Sequence, residues 1–297
     1  ATFGGNRSNG QSGSIDLDNS GLLQSAADFS PAILAQSIGG GGGSAHSVMG
    51  AVRLGSRLAT GQQSAQRMTL KNTGNLITTN RYSPGFFAQS IGGGGGRIAQ
   101  TMGGSVSIGS TNASATAALH GGAINTRSLG QIISTQGDFS QGLSAQSIGG
   151  GGGWVGPVES TLQIGAQNSA ASMNSDNIVV TNSSLIITKG DHSPGISLQS
   201  IAGGGGYSGD VTGDTQLGSQ NSSGSQNAGN VTLINSGSTQ PDTNDPSLLL
   251  GSIQTTGHFS PVVVAQSIGG GGGYVGDVSS TLNLGSVNLS GASANGG

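Results

Sequence analysis

Residues 35–43 read Ala-Gln-Ser-Ile-Gly-Gly-Gly-Gly-Gly, and nearly the same nonapeptide returns at 88–96, 145–153, 198–206 and 265–273. Glycine loses more conformational freedom on ordering than any other residue, and a run of it ordinarily marks a flexible linker. These runs, however, have fixed addresses on both sides. Their first positions fall at 39, 92, 149, 202 (an alanine) and 269, spaced by 53, 57, 53 and 67 residues. A serine stands nine residues before each: Ser30, Ser83, Ser140, Ser193 and Ser260. An aliphatic-Gly-small signal follows 16 or 17 residues after each start, at Gly55, Gly109, Gly165, Gly218 and Gly285.

The block from serine to that glycine is therefore nearly constant, and the variation lies in the remainder. An Asn-x-Gly or Asn-Ser-Ser landmark precedes the serine at Asn19, Asn72, Asn182 and Asn235. In the last case an insertion containing Pro241-Asp-Thr-Asn-Asp-Pro246 separates the two. Insertions confined to one connection while the rest holds register mark a folded repeat. The base unit is 53 residues, with repeats at about 1–55, 56–109, 110–165, 166–218 and 219–285, and 286–297 opening another. The whole chain reads as one repetitive segment that starts and stops within the pattern, as a piece of something longer would.

Composition narrows the class. Glycine is 59 of 297 residues but proline only 7, which fits neither collagen nor Pro-rich disorder. Charged residues are 7% and the net charge is −3, too little charge for a typical disordered tract. The nine Lys and Arg are scattered, which argues against a nucleic-acid partner. No apolar run is long enough for a membrane helix, and with no cysteine the chain has no disulfide framework. Short apolar alternations such as Leu185-Ile-Ile-Thr188 and Leu162-Gln-Ile164 lie between Gly, Asn and Ser-Pro turns. No helical stripe occurs. The expectation is an all-β chain, a β-solenoid of the right-handed parallel β-helix kind. Dividing 53 by a coil of ~17–18 residues predicts about three coils per repeat and, at ~4.8 Å per coil, a rod of roughly 80 Å.

Ser83-Pro-Gly-Phe-Phe-Ala-Gln-Ser-Ile-Gly-Gly-Gly-Gly-Gly96 resembles the repeats of large bacterial autotransporter-type surface proteins. The likeness spans essentially the whole chain, five times over. It implies export to the surface of a Gram-negative bacterium, a β-helical passenger and a structural or adhesive role. The fourth copy departs from the pattern, with Leu198 for alanine and Ala202 for the first glycine.

Catalytic chemistry finds little support. The repeated serine has no repeated partner, because His46, His120, His192 and His258 occupy different places in the unit. Ser-Pro then reads as a turn whose hydroxyl caps a backbone amide. Asp28, Asp138 and Asp191 share one position but, at three coils per repeat, stand too far apart to hold one ion; Asp210, Asp214 and Asp277 leave a weak calcium alternative. The chain is expected to be no enzyme and to carry no cofactor. The sequons at Asn6, Asn112, Asn182, Asn221, Asn230 and Asn288 count for little in so Asn/Ser-rich a chain.

Two partner classes remain: further copies of the chain, joined head to tail in a fibre, and surface glycans. Trp154, Tyr207 and Tyr274 each follow a glycine run directly and are the candidate glycan or protomer contacts. Gly39, Gly92, Gly149, Gly203 and Gly269 mark a backbone path with no room for a Cβ, at a tight corner or against another chain. Gln36, Gln89, Gln146, Gln199 and Gln266 are expected to bond to the glycine amides and carbonyls.

Overall fold

In the computed structural model, residues 2–3, 10–130, 132–237, 249–290 and 293–297 are described. Among them are 26 strands and no helix. The Pro241–Pro246 insertion and Asn6 lie outside the described residues.

Each repeat contributes five strands, which in the second repeat are Met68–Asn72, Leu76–Thr78, Phe86–Ile91, Gly95–Met102 and Val106–Ile108. Strands at the same place in successive repeats pair in parallel, giving four sheets of five strands and a fifth sheet of six. The sixth strand of that sheet is Thr2–Phe3, paired with Arg53 and Leu54. A return segment of turns and isolated parallel bridges, such as Gln62 to Ala118 and Ala118 to Ser172, closes each circuit. The chain is a parallel β-solenoid.

The register corrects the expected coil count. Gln36 faces Gln89, Gln89 faces Gln146, Gln146 faces Gln199 and Gln199 faces Gln266. One full repeat therefore makes one coil, not three. The chain rises one strand spacing per repeat, so five coils stack to about 24 Å rather than 80 Å. The sequence lengthens the perimeter of the coil instead of the rod.

So wide a coil cannot be filled by one layer of side chains, and its core is partitioned. The first three sheets enclose Met68, Leu70, Leu76, Phe86, Ala88 and their equivalents. The fourth and fifth enclose Val52, Leu54, Ile98, Val106 and Ile108. The return segments form a third, smaller cluster around Ala59, Ala113, Leu119 and Met173. In the central coils the third strand is buried along its whole length, as at Leu143–Ile148 and Ile196–Ile201. It is a partition wall, with one face to the first core and the other to a compartment of amides and rings.

The glycine runs sit where these compartments meet. A Cβ on Gly94 would overlap Gly55 Cα, and one on Gly151 would overlap Gly109 Cα. At Gly39, Gly92, Gly149 and Gly269 the same atom would run into the backbone carbonyl of the return segment, at Gln63, His120, Asn174 and Asn295. What crowds the glycine run is the chain's own backbone. The run crosses the middle of the coil, pressed between the recurrent Gly55-type glycine and the return segment. Gly93 N–H donates to Gln63 O at 3.1 Å and Gly150 N–H to Leu119 O at 2.8 Å, so this tight junction leaves those amides bonded. Gly203, second in its run, has φ +83° and donates to Met173 O at 3.0 Å. Ala202 occupies the first place in its run, fully buried.

Candidate functional site

The side chains that recur in the sequence form continuous ladders along the stack. In the amide ladder, Nε2 of each glutamine donates to Oε1 of the next. The distances are 2.7 Å for Gln36 to Gln89, Gln89 to Gln146 and Gln146 to Gln199, and 2.8 Å for Gln199 to Gln266. The middle three are buried. The glycine carbonyls predicted as their partners come second: Gln89 Nε2 reaches Gly96 O at 3.4 Å and Gln199 Nε2 reaches Gly206 O at 3.4 Å. The neighbouring coil places an identical amide one strand spacing away, nearer than the glycine backbone. Asn19 to Asn72 and Asn182 to Asn235 form a second ladder, interrupted where Ser128 takes the asparagine's place.

The recurrent serines are structural. The backbone N–H of Ser83 donates to Ser140 Oγ at 2.8 Å, that of Ser140 to Ser193 Oγ at 2.9 Å, and that of Ser193 to Ser260 Oγ at 2.9 Å. Each of these hydroxyls in turn donates to a carbonyl of the preceding coil, as Ser140 Oγ does to Asn80 O. The residue before the serine adopts a left-handed backbone every time: Phe29, Tyr82, Phe139, His192 and Phe259, with φ between 52° and 59°. For a residue with a Cβ this costs about 1–2 kcal/mol. Its ring stacks on its counterpart in the next coil, with centroids 4.8 to 5.1 Å apart. Such pairs return about 0.5–1.5 kcal/mol beyond their burial, which offsets the strain.

The residues after the glycine runs form a second stack beside the first. Arg97 lies over the Trp154 ring at 4.9 Å, Trp154 stacks on Tyr207 at 5.9 Å, and Tyr207 on Tyr274 at 5.0 Å. Trp154 and Tyr207 are fully buried, and Tyr274 is half-buried. This corrects the expectation that these rings stand exposed to meet a sugar: their faces are covered by one another, and their edges by the left-handed aromatics. Tyr207 Oη donates to His192 O at 3.0 Å, and burial pushes its hydroxyl pKa up. Arg97 makes the equivalent bond to Tyr82 O and a second to Phe29 O at 3.2 Å. Among the described residues no carboxylate pairs with it and its Nε has no partner, and burial lowers its pKa to about 10.

The aspartates take similar duties. Asp138 Oδ1 accepts the N–H of Asp191 at 3.0 Å, and Asp191 Oδ1 that of His258 at 2.7 Å. With one coil per repeat these two residues are neighbours, so the distance once expected between them does not exist; backbone capping occupies them. Asp210 Oδ1 accepts from Asp277 N at 3.0 Å, and Asp214 Oδ1 from Ser280 Oγ at 2.6 Å. Among the described residues no three His, Asp or Glu side chains group as metal ligands, and no helix is long and apolar enough to cross a membrane.

Sequence reasoning found the glutamine, serine and glycine positions but missed the two ring stacks. Their chemistry varies from coil to coil (Ser44, Arg97, Trp154, Tyr207 and Tyr274 share one row), so identity gave no signal. No protein-family model, curated protein or solved structure matches the chain.

Proposed function

We propose that this chain is a segment of a structural or adhesive surface fibre, exported from a Gram-negative bacterium as an autotransporter-type passenger, and that its task is mechanical. The observation that carries this reading is that the recurrent glutamines and serines join one coil to the next. Two hydrogen-bonded side-chain ladders, two ring stacks and five parallel sheets all run along the same axis, so tension along it is shared by every coil. The resemblance of the Ser83–Gly96 motif to passenger repeats supports the location, and the low charge suits a neutral, tightly packed fibre.

Self-association head to tail belongs to the same proposal. Phe259 is 67%, Val262 45% and Leu284 55% exposed, an apolar edge that a further coil in the same register would cover, whether it comes from the same protein or from a second copy. A second copy seated with its Ile33–Ile38 strand on Val263–Ile268 would bring its Thr2–Phe3 strand to the place that Leu282–Leu284 holds. One of the two must yield, and the two-residue strand is the weaker. Light scattering and electron micrographs of the 297-residue chain test this. Growth along the solenoid axis with concentration, enhanced in a variant beginning at Gly10, is the expected result. A monodisperse species at high concentration in both forms would remove the self-association.

A further inference from the structure

Burial of Trp154 and Tyr207 removes them as a sugar-binding surface, but another part of the molecule has the chemistry for one. Along the outer face of the fifth sheet, against the return segment, lies a groove of about 160 Å³ whose lining includes Gln163, Asp214, Gln216, Gln220 and Asn283. Leu162 and Ile164 turn into the core, so Gln163 between them faces outward, and Gln216 and Asn283 follow it in register. Three amides thus repeat at one strand spacing, ~4.8 Å. A second row, Thr111, Gln167 and Gln220, runs parallel to them on the return segment.

The Gln36-type glutamines and the Asn19-type asparagines spend their amides on ladders. The groove's amides are not so spent. Gln163 Nε2 is covered and has no hydrogen-bond partner, and Gln216 spends only its Nε2, on Gly285 O at 2.7 Å. Asp214 is exposed; the Ser280 hydroxyl, then the Thr281 amide, hold its pKa below the usual carboxylate range, so it is charged at neutral pH. Among the described residues that line the groove there is no Lys, Arg or His.

We infer that this groove binds a neutral polysaccharide laid along the solenoid axis. A primary amide both donates and accepts, and so does a sugar hydroxyl. A carboxylate accepts from hydroxyls but repels an anionic glycan. Rows repeating at one strand spacing suit an extended chain of pyranose units, which advances by a similar step, and the volume holds one such ring. The inference deepens the adhesive side of the proposed function, whereas the rod and its self-association do not depend on it.

Affinity electrophoresis of the full chain through gels containing hydroxyethylcellulose, xyloglucan, galactomannan, dextran or polygalacturonate tests the site. Two variants accompany it: Gln163→Arg, which places in the row the side chain that Arg53 already carries there in the first coil, and the exposed Asn283→Ala. At least one neutral polymer is expected to retard the chain, with affinity at least tenfold weaker in Gln163→Arg and severalfold weaker in Asn283→Ala. Polygalacturonate should give no retardation, and thermal melting of both variants should match the parent. Absence of retardation by any neutral polymer, retardation untouched by both substitutions, or equal binding of polygalacturonate would each overturn the assignment. Light scattering is read separately, so loss of the glycan site and loss of self-association are told apart.

Discussion

Gln146 Nε2 donates to Gln199 Oε1 at 2.7 Å, and Gln146 Oε1 accepts from Gln89 Nε2 at the same distance, with all three amides buried. Each glutamine is donor to one coil and acceptor from the other, so the ladder has a direction. Gln146→Leu breaks it twice and leaves a donor on Gln89 and an acceptor on Gln199 buried without partners. At about 1–3 kcal/mol for each orphaned group, the expected loss is roughly 2–6 kcal/mol in chemical unfolding. Gln36→Leu, at the half-buried end of the ladder, should cost less than half as much.

The central glycines can be tested for space and backbone conformation separately. Gly151 has φ +92° and no room, because a Cβ would meet Gly109 Cα. Gly50 has φ +83° with nothing within 4 Å of its Cβ position. Gly50→Ala is expected to cost only the conformational strain, about 1–2 kcal/mol. Gly151→Ala adds a backbone overlap that no rotamer can relieve, and should lower the melting temperature far more or prevent folding. Equal effects would mean that the junction is loose.

How much of this was legible follows from what a ladder demands. A ladder requires the same residue at the same place in every coil, so Gln36, Ser30 and Gly55 stood out at once. The coil length was legible as well, but hidden by a prior about coil size. A solenoid repeats itself at its coil length, and this sequence repeats at 53 residues with no echo near 18. The stacked rings were invisible because stacking accepts any flat group, so Phe, Tyr and His alternate in one stack and Arg joins Trp and Tyr in the other. Left-handed φ at Phe29 or Tyr82 has no residue signature at all: the ring partner that offsets the strain lies a full repeat away.

Arg97 illustrates a cost the other coils avoid. Its guanidinium is buried, lacks an acidic partner and leaves Nε unsatisfied, while Tyr207 two coils on makes the same bond to the preceding left-handed residue through a neutral hydroxyl. Arg97→Tyr should keep the bond to Tyr82 O, extend the stack from Trp154 and remove the buried charge. Replacing buried ionic groups by well-packed neutral ones is neutral or stabilising by about 1–4 kcal/mol, so a melting temperature raised by several degrees is expected. A lowered one would show that the bond to Phe29 O outweighs the burial of charge.

His120 gives the stack an acid-sensitive point. Its Nε2 lies 2.7 Å from Ser172 Oγ, and burial lowers its pKa below the ordinary 6.5, a nearby Asp176 opposing the shift only in part. The unfolded chain therefore binds a proton that the folded one resists. Stability is fully present above the unfolded pKa and falls as pH drops through about 6.5 toward the lower folded value. Urea titrations at pH 8 and pH 5 should show a smaller difference in His120→Gln than in the parent.

The claim on which the rest depends is that one repeat makes one coil. Asp16 and Thr232 are exposed, lie in the same row of the first sheet and are separated by four register steps through Thr69, Asn125 and Val179. Spin labels on Asp16→Cys and Thr232→Cys, read by pulsed dipolar spectroscopy, measure the rise between them. One coil per repeat predicts a backbone separation of about 19 Å, widened only by the label linkers, whereas three coils per repeat would place the pair about 58 Å apart. A distance near the longer value would contradict the fold described here.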